Sequence, residues 1–363
     1  MSLRTVPALI VGGGPAGAAA AIRLAQGGIH AELIERSNGP RDVVCGGFVG
    51  WDALAALAEL GIDAAALGAR PIARLRLVTA RRTVEIDLPK PAAGLSRLRL
   101  DEALLRRAAA CGAQVRYGVT ARGWDGRAIR LSNSEVVEAE ALFLATGKHE
   151  LRGLARPVPE GWGEGAVGMR TSFLPGKQIA DALDGVIELH PFDGGYAGLL
   201  LQEDGSVNLC LSVAAARLRD AGGQAPLLAR LAQEAPRLGE RLAEATEAAW
   251  ISVGNVPYGW RARTTTDGLF RLGDQAAVIA SLAGDGIAIA LTSGVAAAEA
   301  HLAGIAAPDF QQSFARTSAR PLKVANALRW AAERSGPRKM LTGLAGLSPS
   351  LARWAASSTR IAP

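Results

Sequence analysis

Aliphatic residues fall in short blocks along the chain, and the spacing inside each block predicts the element that it forms. Residues 8–11 are a β-branched and aliphatic run that ends at a glycine cluster, which is typical of a buried parallel strand. An alanine-rich stretch follows, and it predicts a helix over residues 15–26 that stops at a glycine pair. A second strand is predicted at residues 31–34, directly before Glu35. The chain therefore opens as strand, glycine turn, helix and strand.

The middle and the end of the chain have different patterns. Strand periodicity dominates the middle and predicts a mostly antiparallel sheet, inserted into the first domain. Its predicted strands are residues 72–78, 82–87, 168–174, 185–189, 196–201 and 206–213. Helices follow: one from about 285 to 302, one from about 308 to 333 that a Gly-Pro pair at 336–337 breaks, and a short one that begins at Ser348 and Pro349.

Charge changes this picture only at the C-terminus. The chain of 363 residues has a net charge of +6. Residues 316–363 hold nine Lys or Arg and one acid, hence +8, and the residues before them carry −2. Because no nucleic-acid-binding module accompanies this charge, nucleic acid is not an expected partner. The basic tail is expected either to be an Arg-rich solvent face of helices that close the domain, or to contact an anionic membrane peripherally.

Several classes of protein are excluded by composition. The three cysteines lie far apart, so neither a disulfide framework nor a zinc site is readable, and we expect no metal and a cytoplasmic location. No charge-free apolar stretch reaches the ~18–20 residues of a spanning helix. The apolar start is not a signal peptide, because the sequence Gly-Gly-Gly-Pro at 12–15 breaks it.

Three glycines in the first turn have the spacing that a dinucleotide cofactor needs. Gly12 permits a tight turn, Gly14 lets the backbone approach a pyrophosphate, and Gly17 lets the helix pack against the strand. The helix start offers free N–H groups to phosphates. Glu35, 18 residues after Gly17, is placed to accept both ribose hydroxyls of an adenosine. This segment alone does not distinguish NAD from FAD.

A second glycine cluster lies three-quarters along the chain. Residues 268–274 are predicted to form a strand that ends at Gly273 and Asp274, and residues 284–286 open a long helix. Asp274 is a candidate to bind a ribityl hydroxyl. The start of the helix near Asp285 is a candidate to direct its N–H groups at the N1 and C2 carbonyl region of a flavin.

The order and spacing of both clusters resemble the FAD-containing superfamily of p-hydroxybenzoate hydroxylase and geranylgeranyl reductase, over roughly residues 5–305. The Cys-Gly-Gly at 45–47, Arg97 before a helix and the Ala-Thr-Gly at 145–147 are similar to further motifs of that family. The FAD-binding residues that the resemblance implies are Gly12, Gly14, Pro15, Ala16, Gly17, Glu35, Arg36, Arg41, Cys45, Gly46, Gly47, Arg97, Val119, Thr146, Gly147, Gly273, Asp274, Gly284, Asp285, Gly286 and Ile287.

The resemblance also implies a fold class and domain limits. The fold class is α/β, with α+β inserted: a Rossmann-type FAD-binding domain, an interleaved antiparallel-sheet substrate domain and C-terminal helices. The limits are residues 1–70, 95–165 and 262–310 for the FAD-binding domain, 71–94 and 166–261 for the substrate domain, and 311–363 for the basic C-terminal helices.

The resemblance implies an FAD-dependent oxidoreductase, and the first hypothesis is a monooxygenase. Such an enzyme hydroxylates an aromatic or polyketide-like compound through a flavin C4a-hydroperoxide. The alternative is a reductase, similar to geranylgeranyl reductase, that acts on an isoprenoid double bond, and the Cys-Gly-Gly at 45–47 favours it. A third reading, a non-catalytic flavin-fold binding protein, is disfavoured by the intact Glu35 and Asp274. NAD(P)H is the expected electron donor, although the Asp-Gly motif common in family hydroxylases is absent after Gly147.

Catalytic residues stay open, with Cys45, His190 and Tyr196 as candidates. His190 either positions a substrate hydroxyl or is a hydrogen-bonded strand-end residue. Cys45 is either a small residue beside the ring or a redox thiol, and Tyr196 is either cavity wall or acid. The cavity is expected to take a small hydrophobic substrate. Its predicted lining is Phe173, Phe192, Tyr196, Leu199 and Leu209, with His190 and Asp193 as titratable groups.

Overall fold

The computed structural model describes residues 3–80, 82–158, 165–245 and 248–361. The parts of the predicted domains at residues 1–2, 81, 159–164, 246–247 and 362–363 lie outside the described residues. The strands are β1 (Leu3–Val11), β2 (Glu32–Ile34), β3 (Phe48–Val49), β4 (Arg70–Val78), β5 (Thr83–Gly94), β6 (Gln114–Arg116), β7 (Ala121–Trp124), β8 (Ala128–Leu131), β9 (Val136–Leu144), β10 (Ala166–Phe173), β11 (Val186–Phe192), β12 (Gly195–Leu201), β13 (Val207–Ala214), β14 (Ile251–Val256) and β15 (Leu269–Arg271). The helices are α1 (Pro15–Gln26), α2 (Trp51–Glu59), α3 (Arg97–Ala110), α4 (Lys177–Leu183), α5 (Ala215–Asp220), α6 (Gln224–Glu234), α7 (Pro236–Glu244), α8 (Gly286–Leu302), α9 (Ala307–Thr317), α10 (Ala319–Ala332), α11 (Ser335–Leu347) and α12 (Pro349–Ser358).

The first sheet carries the two glycine turns. Its order is β6-β2-β1-β9-β8-β7, and β15 pairs with β9. The strands β2, β1, β9 and β15 run parallel, so their carboxyl ends meet at one edge, where a ligand is expected in such sheets. Helices α1 and α8 pack closely against each other, because a Cβ at Gly294 would lie 2.3 Å from the carbonyl oxygen of Ala16. The predicted helix over residues 15–26 and the strands around it are confirmed.

The second sheet has eight strands in the order β14-β10-β13-β12-β11-β4-β5-β3. All neighbours are antiparallel except β11 and β4, which confirms the mostly antiparallel sheet. One face packs on helices α4, α6 and α7 in a core that includes Leu209, Leu227 and Leu238. The strand β3 lies within the predicted FAD-binding domain, yet it pairs with β5 of the second sheet. The two sheets are therefore joined at that point.

The C-terminal helices differ from the prediction in two places, and proline explains both. The single helix predicted from about 308 to 333 is wrong, since α9 and α10 meet at Ser318. Pro321 is the third residue of α10, and its ring clashes with a preceding helical turn, so a new helix starts before it. The second difference is the Gly-Pro pair at 336–337, which lies inside α11 and does not separate two helices. Pro337 is in the first turn of α11, where its missing N–H leaves no hydrogen bond unmade. The predicted start at Ser348 is confirmed, because its hydroxyl accepts from the N–H of Leu351.

None of the helices in the described part of the chain has the length and the apolar character that crossing a membrane requires.

Candidate active site

Two connected cavities lie at the carboxyl edge of the first sheet. We call the one beside the first glycine turn, which includes Glu35 and Arg41, the polar cavity, and its volume is about 590 Å³. The other lies between the two sheets and the C-terminal helices, and we call it the apolar cavity; its volume is about 380 Å³. Both are lined by Gly14, Val44, Arg97, Ala145, Gly147, Lys148, Val253 and Asp274. These shared residues join the two cavities, and residues of both glycine clusters line the combined space.

The first glycine turn is tightly constrained. Gly12 has φ +112°, and a Cβ there would lie 2.4 Å from the carbonyl oxygen of Ala145. A Cβ at Gly17 would lie 2.0 Å from the carbonyl oxygen of Gly12, so the predicted role of Gly17 in helix–strand packing is confirmed. No side chain caps the start of α1 at Gly14. Its first N–H groups are therefore available to a phosphate at the cavity wall.

Glu35 directly follows β2 and lines the polar cavity. Its two carboxylate oxygens accept from the N–H groups of Gly13 and Ser37, at 2.8 Å and 2.9 Å. These two bonds fix the orientation of the carboxylate. Because a carboxylate oxygen has a second lone pair, both oxygens can still accept from a vicinal diol, such as the hydroxyls of a ribose.

Positively charged side chains surround the polar cavity. Arg36 lies 2.7 Å from Nε2 of His149, and Arg41 donates to the hydroxyl of Ser37. Burial, followed by the nearby arginines, lowers the pKa of His149, so the neutral ring can accept from Arg36. Arg97 at the start of α3 is held by a two-bond ion pair to Asp101, at 2.8 Å and 2.7 Å. This cavity suits the phosphates and ribose of a nucleotide.

Lys148 and Asp274 form an ion pair where the two cavities meet. Nζ of Lys148 lies 3.0 Å from Oδ2 of Asp274. The Asp274 carboxylate raises the pKa of Lys148, so the amine stays charged. Sequence reasoning assigned Asp274 but missed Lys148. The available signal was its position directly after Gly147, at the carboxyl end of β9, where the first sheet collects its ligand-facing groups.

The residues present fit FAD. Eighteen of the predicted FAD-binding residues line one or both cavities, and they are Gly12, Gly14, Pro15, Ala16, Glu35, Arg36, Arg41, Cys45, Gly46, Arg97, Val119, Thr146, Gly147, Gly273, Asp274, Gly284, Gly286 and Ile287. The polar cavity would hold the adenosine diphosphate part, and the flavin ring would extend past Lys148 into the apolar cavity. Gly17, Gly47 and Asp285 line neither cavity.

Asp285 belongs to the predicted FAD-binding residues, but its side chain is bonded to another part of the chain. It is fully buried before α8, and its carboxylate is bonded to Arg360, which follows α12. Arg360 also lies 3.7 Å from Asp52 and over the ring of Trp51. Burial raises the pKa of Asp285 to about 8. The Asp285 side chain therefore ties the end of the chain to α8, while its neighbours Gly284 and Gly286 line the apolar cavity.

A chain of hydroxyl groups crosses the apolar cavity. The Tyr196 hydroxyl donates to Oγ of Ser281 at 2.6 Å, and the Tyr258 hydroxyl lies 2.7 Å from the same oxygen. Ser212 lies 3.2 Å beyond Tyr258. Burial raises the pKa of both tyrosines, so both remain protonated at neutral pH. The structure thus brings the candidate Tyr196 to the cavity wall, together with Tyr258 and Ser281, whose role sequence reasoning missed.

His190 does not lie at the cavity, which corrects its assignment as a substrate-positioning candidate. It is buried on the opposite face of β11, with Nε2 2.8 Å from Oε1 of Glu188. Arg76 and Arg241 bind the same carboxylate, both at 3.0 Å. Burial raises the pKa of Glu188, but the hydrogen bonds from His190 and Arg241 outweigh it and hold that pKa well below its usual range. His190 is part of an ion cluster that stabilises the sheet.

The alternation of β11 explains this placement. Ile187, Leu189 and Pro191 line the apolar cavity, and Glu188 and His190 point to the other face. The same rule corrects the predicted lining. Tyr196 and Leu199 line the cavity as predicted, although the Leu199 side chain also packs in the core with α4, α6 and α7. Phe173, Phe192 and Leu209 belong to that core and do not line the cavity. Asp193 lies on the surface and pairs with Arg338 at 2.8 Å.

Cys45 lines the apolar cavity beside the second sheet. Its sulfur accepts from the N–H of Gly47 at 3.5 Å, and its carbonyl accepts from Asn208 at 3.1 Å. Cys210 lines the same cavity, and burial raises the pKa of its thiol to about 12. All three cysteines are free. Cys210 is therefore an unreactive wall residue, and Cys45 sits between the nucleotide loops and the substrate sheet.

The far wall of the apolar cavity comes from elements that sequence reasoning did not connect with it. Strands β4 and β5 supply one side, and helices α11 and α12 supply the other. The side chains at this end are Leu75, Leu77, Ile86, Leu88, Leu341, Leu344, Ala345, Leu351, Ala352 and Ala355. The basic tail therefore does more than cover the domain, since it closes the cavity opposite the sheet.

Comparison with known proteins agrees with this geometry. Residues 5–152 match the family model of the FAD binding domain. Digeranylgeranylglycerophospholipid reductase 2 of Methanopyrus kandleri is 26% identical over 333 residues, which covers 84% of this chain and 79% of that protein. The matched family segment contains the first glycine turn, Glu35 and Gly147.

Solved structures share the fold at low identity. The flavin-dependent brominase Bmp2 has a TM-score of 0.78 at 16% identity, covering 98% of this chain and 93% of its own. A geranylgeranyl bacteriochlorophyll reductase-like protein of Thermoplasma acidophilum has a TM-score of 0.70 at 18% identity, covering 98% and 100%. PqsL of Pseudomonas aeruginosa, described as a probable FAD-dependent monooxygenase, has a TM-score of 0.68 at 16% identity, covering 94% and 100%. The chain thus carries an FAD-binding domain in its first 152 residues, and it is an FAD-dependent oxidoreductase.

Proposed function

We propose that this protein is an FAD-dependent reductase that saturates a carbon–carbon double bond in a long, apolar, isoprenoid-like chain. The observation that carries the proposal is the shape and chemistry of the apolar cavity. Lys148, Asp274 and Tyr196 are polar groups of its wall, and Thr342, Thr359 and Arg360 add polar groups from the C-terminal helices. The rest of its far end is lined by aliphatic side chains of β4, β5, α11 and α12. A hydrocarbon chain is the ligand that such an extended aliphatic wall would bind.

The relative from Methanopyrus kandleri supports the same substrate class, since its name describes reduction of a geranylgeranyl lipid. It aligns with 84% of this chain, so the alignment extends well past the FAD-binding domain. The order of preference between the two hypotheses therefore differs from that favoured by the sequence motifs alone, and the reductase comes first.

Reduction of a double bond needs two electrons and two protons, and the chain's own residues supply the setting. Bound FAD, once reduced, supplies the electrons. The side chains of β11 and β12 orient the substrate beside it and exclude water. The carbon that is left to be protonated needs a donor, and the Tyr196 hydroxyl is suited to it because burial keeps it protonated. Ser281 and Tyr258 connect Tyr196 to Ser212 through hydrogen bonds, and a proton lost from Tyr196 can be replaced along them.

Reduced nicotinamide is the electron donor that we propose. Anaerobic mixing of the oxidised flavoprotein with NADH or NADPH tests it, since the flavin absorbance should fall with one or both. If neither bleaches the flavin while dithionite does, another donor reduces this enzyme.

The second candidate is hydroxylation of a hydrophobic aromatic compound. The hydroxyl chain from Tyr196 to Tyr258 favours it, because it could hold an aromatic hydroxyl group near the point where the two cavities meet. Such a substrate would leave the aliphatic far end of the cavity without a ligand, which is why this candidate is second.

One experiment separates the two. The flavoprotein is reduced anaerobically and mixed either with a detergent-solubilised prenyl alcohol or with O₂ and a phenol. For the reductase, we expect the flavin to reoxidise under the anaerobic condition and the prenyl product to gain two hydrogens by mass spectrometry. If the flavin reoxidises only in the mixture with O₂ and the phenol, and an oxygen atom is inserted into the phenol, the monooxygenase replaces the reductase.

A further inference from the structure

The last two helices carry an unusual concentration of exposed apolar side chains. Among the described residues, 14 large hydrophobic side chains are exposed, and six of them lie in α10, α11 and α12. We call five of these the α11–α12 patch: Met340, Leu344, Leu347, Leu351 and Trp354. Leu347 is 81% exposed and Trp354 is 57% exposed. The spacing 340, 344, 347 keeps the residues of α11 on one helix face.

The charges within the segment that carries the patch are of one sign. Residues 334–363 contain five Arg or Lys and no acid. Arg338 pairs with Asp193 and Arg360 pairs with Asp285, whereas Arg334, Lys339 and Arg353 are exposed. Glu333, the acid that precedes this segment, is half-buried beside Arg329. An apolar face with a mainly cationic rim is complementary to an anionic surface that also offers hydrocarbon.

The patch is continuous with the apolar cavity. Leu344 and Leu351 are about two-fifths exposed, and both also line the cavity. On the inner side of the same helices, Leu341, Ala345 and Ala352 line the cavity. The exposed patch and the apolar cavity therefore share Leu344 and Leu351, and the inner faces of α11 and α12 continue the apolar surface into the cavity.

A second copy of this chain is a poor occupant of the patch. Two such patches face to face would bring their cationic rims together with no carboxylate in residues 334–363 to compensate. An apolar protein partner would cover the patch, but it would not explain why the patch is continuous with the apolar cavity. An anionic lipid bilayer satisfies the rim, the apolar side chains and the opening together.

We propose that the α11–α12 patch docks on an anionic lipid bilayer and admits the apolar substrate directly from it. This inference rests on the proposed function for the identity of the substrate, but docking itself requires no turnover. The exposed Leu347 and Trp354 enter the interface, and Lys339 and Arg353 contact the lipid phosphates.

The test measures co-sedimentation of the FAD-loaded protein with vesicles of phosphatidylcholine, alone or mixed with phosphatidylglycerol, at low and moderate salt. The apolar variant is Leu347→Glu with Trp354→Glu, and the charge variant is Lys339→Glu with Arg353→Glu. The matched controls are Leu174→Glu and Arg122→Glu, because Leu174 is 79% exposed and Arg122 is exposed on β7 of the other sheet. Flavin absorbance checks that each variant is folded.

We expect the wild type and both controls to bind the anionic vesicles, and moderate salt to weaken this binding. The charge variant should bind about tenfold more weakly or worse, and the apolar variant should not bind. Three results would overturn the inference. The wild type does not bind the vesicles, the controls lose as much binding as the patch variants, or the wild type is a dimer that dissociates only in the apolar variant. Reduction of a detergent-solubilised prenyl alcohol is measured separately. Vesicle binding without reduction of the prenyl alcohol would contradict the proposed function alone. Reduction of the prenyl alcohol without vesicle binding would contradict the docking alone.

Discussion

The polar and apolar cavities are assembled in different ways. The polar cavity is built mainly from the turns that follow β1, β2 and β9, with further wall residues from α3 and β14, so much of its wall lies within a few residues of a recognisable motif. The apolar cavity takes its walls from two sheets and from helices more than 300 residues after the first glycine turn. Backbone N–H groups at a helix start would hold the phosphates of a nucleotide in the first case, whereas side chains on one face of a sheet would select the ligand in the second. A cofactor can therefore be recognised from local sequence, but a substrate cannot.

The largest expected effect tests how far the C-terminal residues support the apolar cavity. Arg360→Ala removes the cation that contacts two buried carboxyl groups, Asp285 and Asp52. Because burial keeps Asp285 protonated up to about pH 8, the change leaves no buried charge unpaired there. The free energy of unfolding should fall by about 1.5–3 kcal/mol, the contribution of a hydrogen bond to a charged group, and flavin affinity should fall with it because α8 loses its tether. Urea unfolding and flavin titration measure both. Arg353→Ala, an exposed arginine in α12, is the control. A loss no greater than in the control would mean that the tether contributes little.

A pH dependence follows from the same site. The folded protein keeps the Asp285 proton up to about pH 8, because burial raises its pKa, whereas the unfolded chain releases it near pH 4. Between these values the folded state binds more protons, so the free energy of unfolding should fall as pH rises, by at most about 1.4 kcal/mol per pH unit. Asp285→Asn should flatten this part of the profile. Urea unfolding at several pH values checks it, and an unchanged slope in the variant would contradict it.

The polar cavity can be broken by one methyl group. Gly17→Ala places a Cβ 2.0 Å from the carbonyl oxygen of Gly12, so the turn or α1 must shift. We expect a loss of about 1–3 kcal/mol of stability and a larger loss of FAD affinity, since the phosphate-facing N–H groups move. Gly343→Ala in α11 is the matched control, because a Cβ at Gly343 meets nothing within 4 Å and Gly343 lines neither cavity. Flavin content after purification and urea unfolding report the result. Equal flavin content in both variants would refute the expected geometry.

The smallest effect separates the two faces of the second sheet. His190→Ala removes one hydrogen bond from the Glu188 cluster, and it should cost about 1 kcal/mol of stability with the turnover rate unchanged. Tyr196→Phe should do the opposite and lower kcat while leaving stability nearly unaltered. Thermal unfolding and steady-state kinetics of both variants measure this pair. A fall in kcat for His190→Ala would contradict the placement of His190 outside the active site.

The sequence predicts the polar cavity well because its motifs are contiguous. Gly12, Gly14 and Glu35 lie where their spacing indicates, since a glycine turn between a strand and a helix has few possible geometries. The sequence leaves both interpretations of His190 open because a histidine in a strand can serve either face, and the structure bears out the hydrogen-bonded one. Its neighbour Glu188, two residues away and so on the same face, was the available signal. Lys148 was missed because its partner Asp274 is distant in sequence.

The far wall of the apolar cavity could not be predicted, for a different reason. Residues of α11 and α12 meet β5 only through tertiary packing, and nothing in their own pattern indicates which strand they cover. The Gly-Pro pair at 336–337 is typical of a helix break, and the pattern around Pro321 predicts an uninterrupted helix. Both prolines instead lie in the first turn of a helix, where proline is tolerated. The number of C-terminal helices was therefore underestimated, and with it their contribution to the cavity.

The alternation of β11 has a consequence for how this enzyme can diversify. Point substitutions at Ile187, Leu189 or Pro191 can change the shape of the apolar cavity, while the ion cluster at Glu188 stays intact. A one-residue insertion in β11 would instead exchange the two sets and direct a carboxylate into the apolar cavity. The cavity wall can therefore be altered by single substitutions along one strand, whereas a change in the length of that strand would disturb both of its faces.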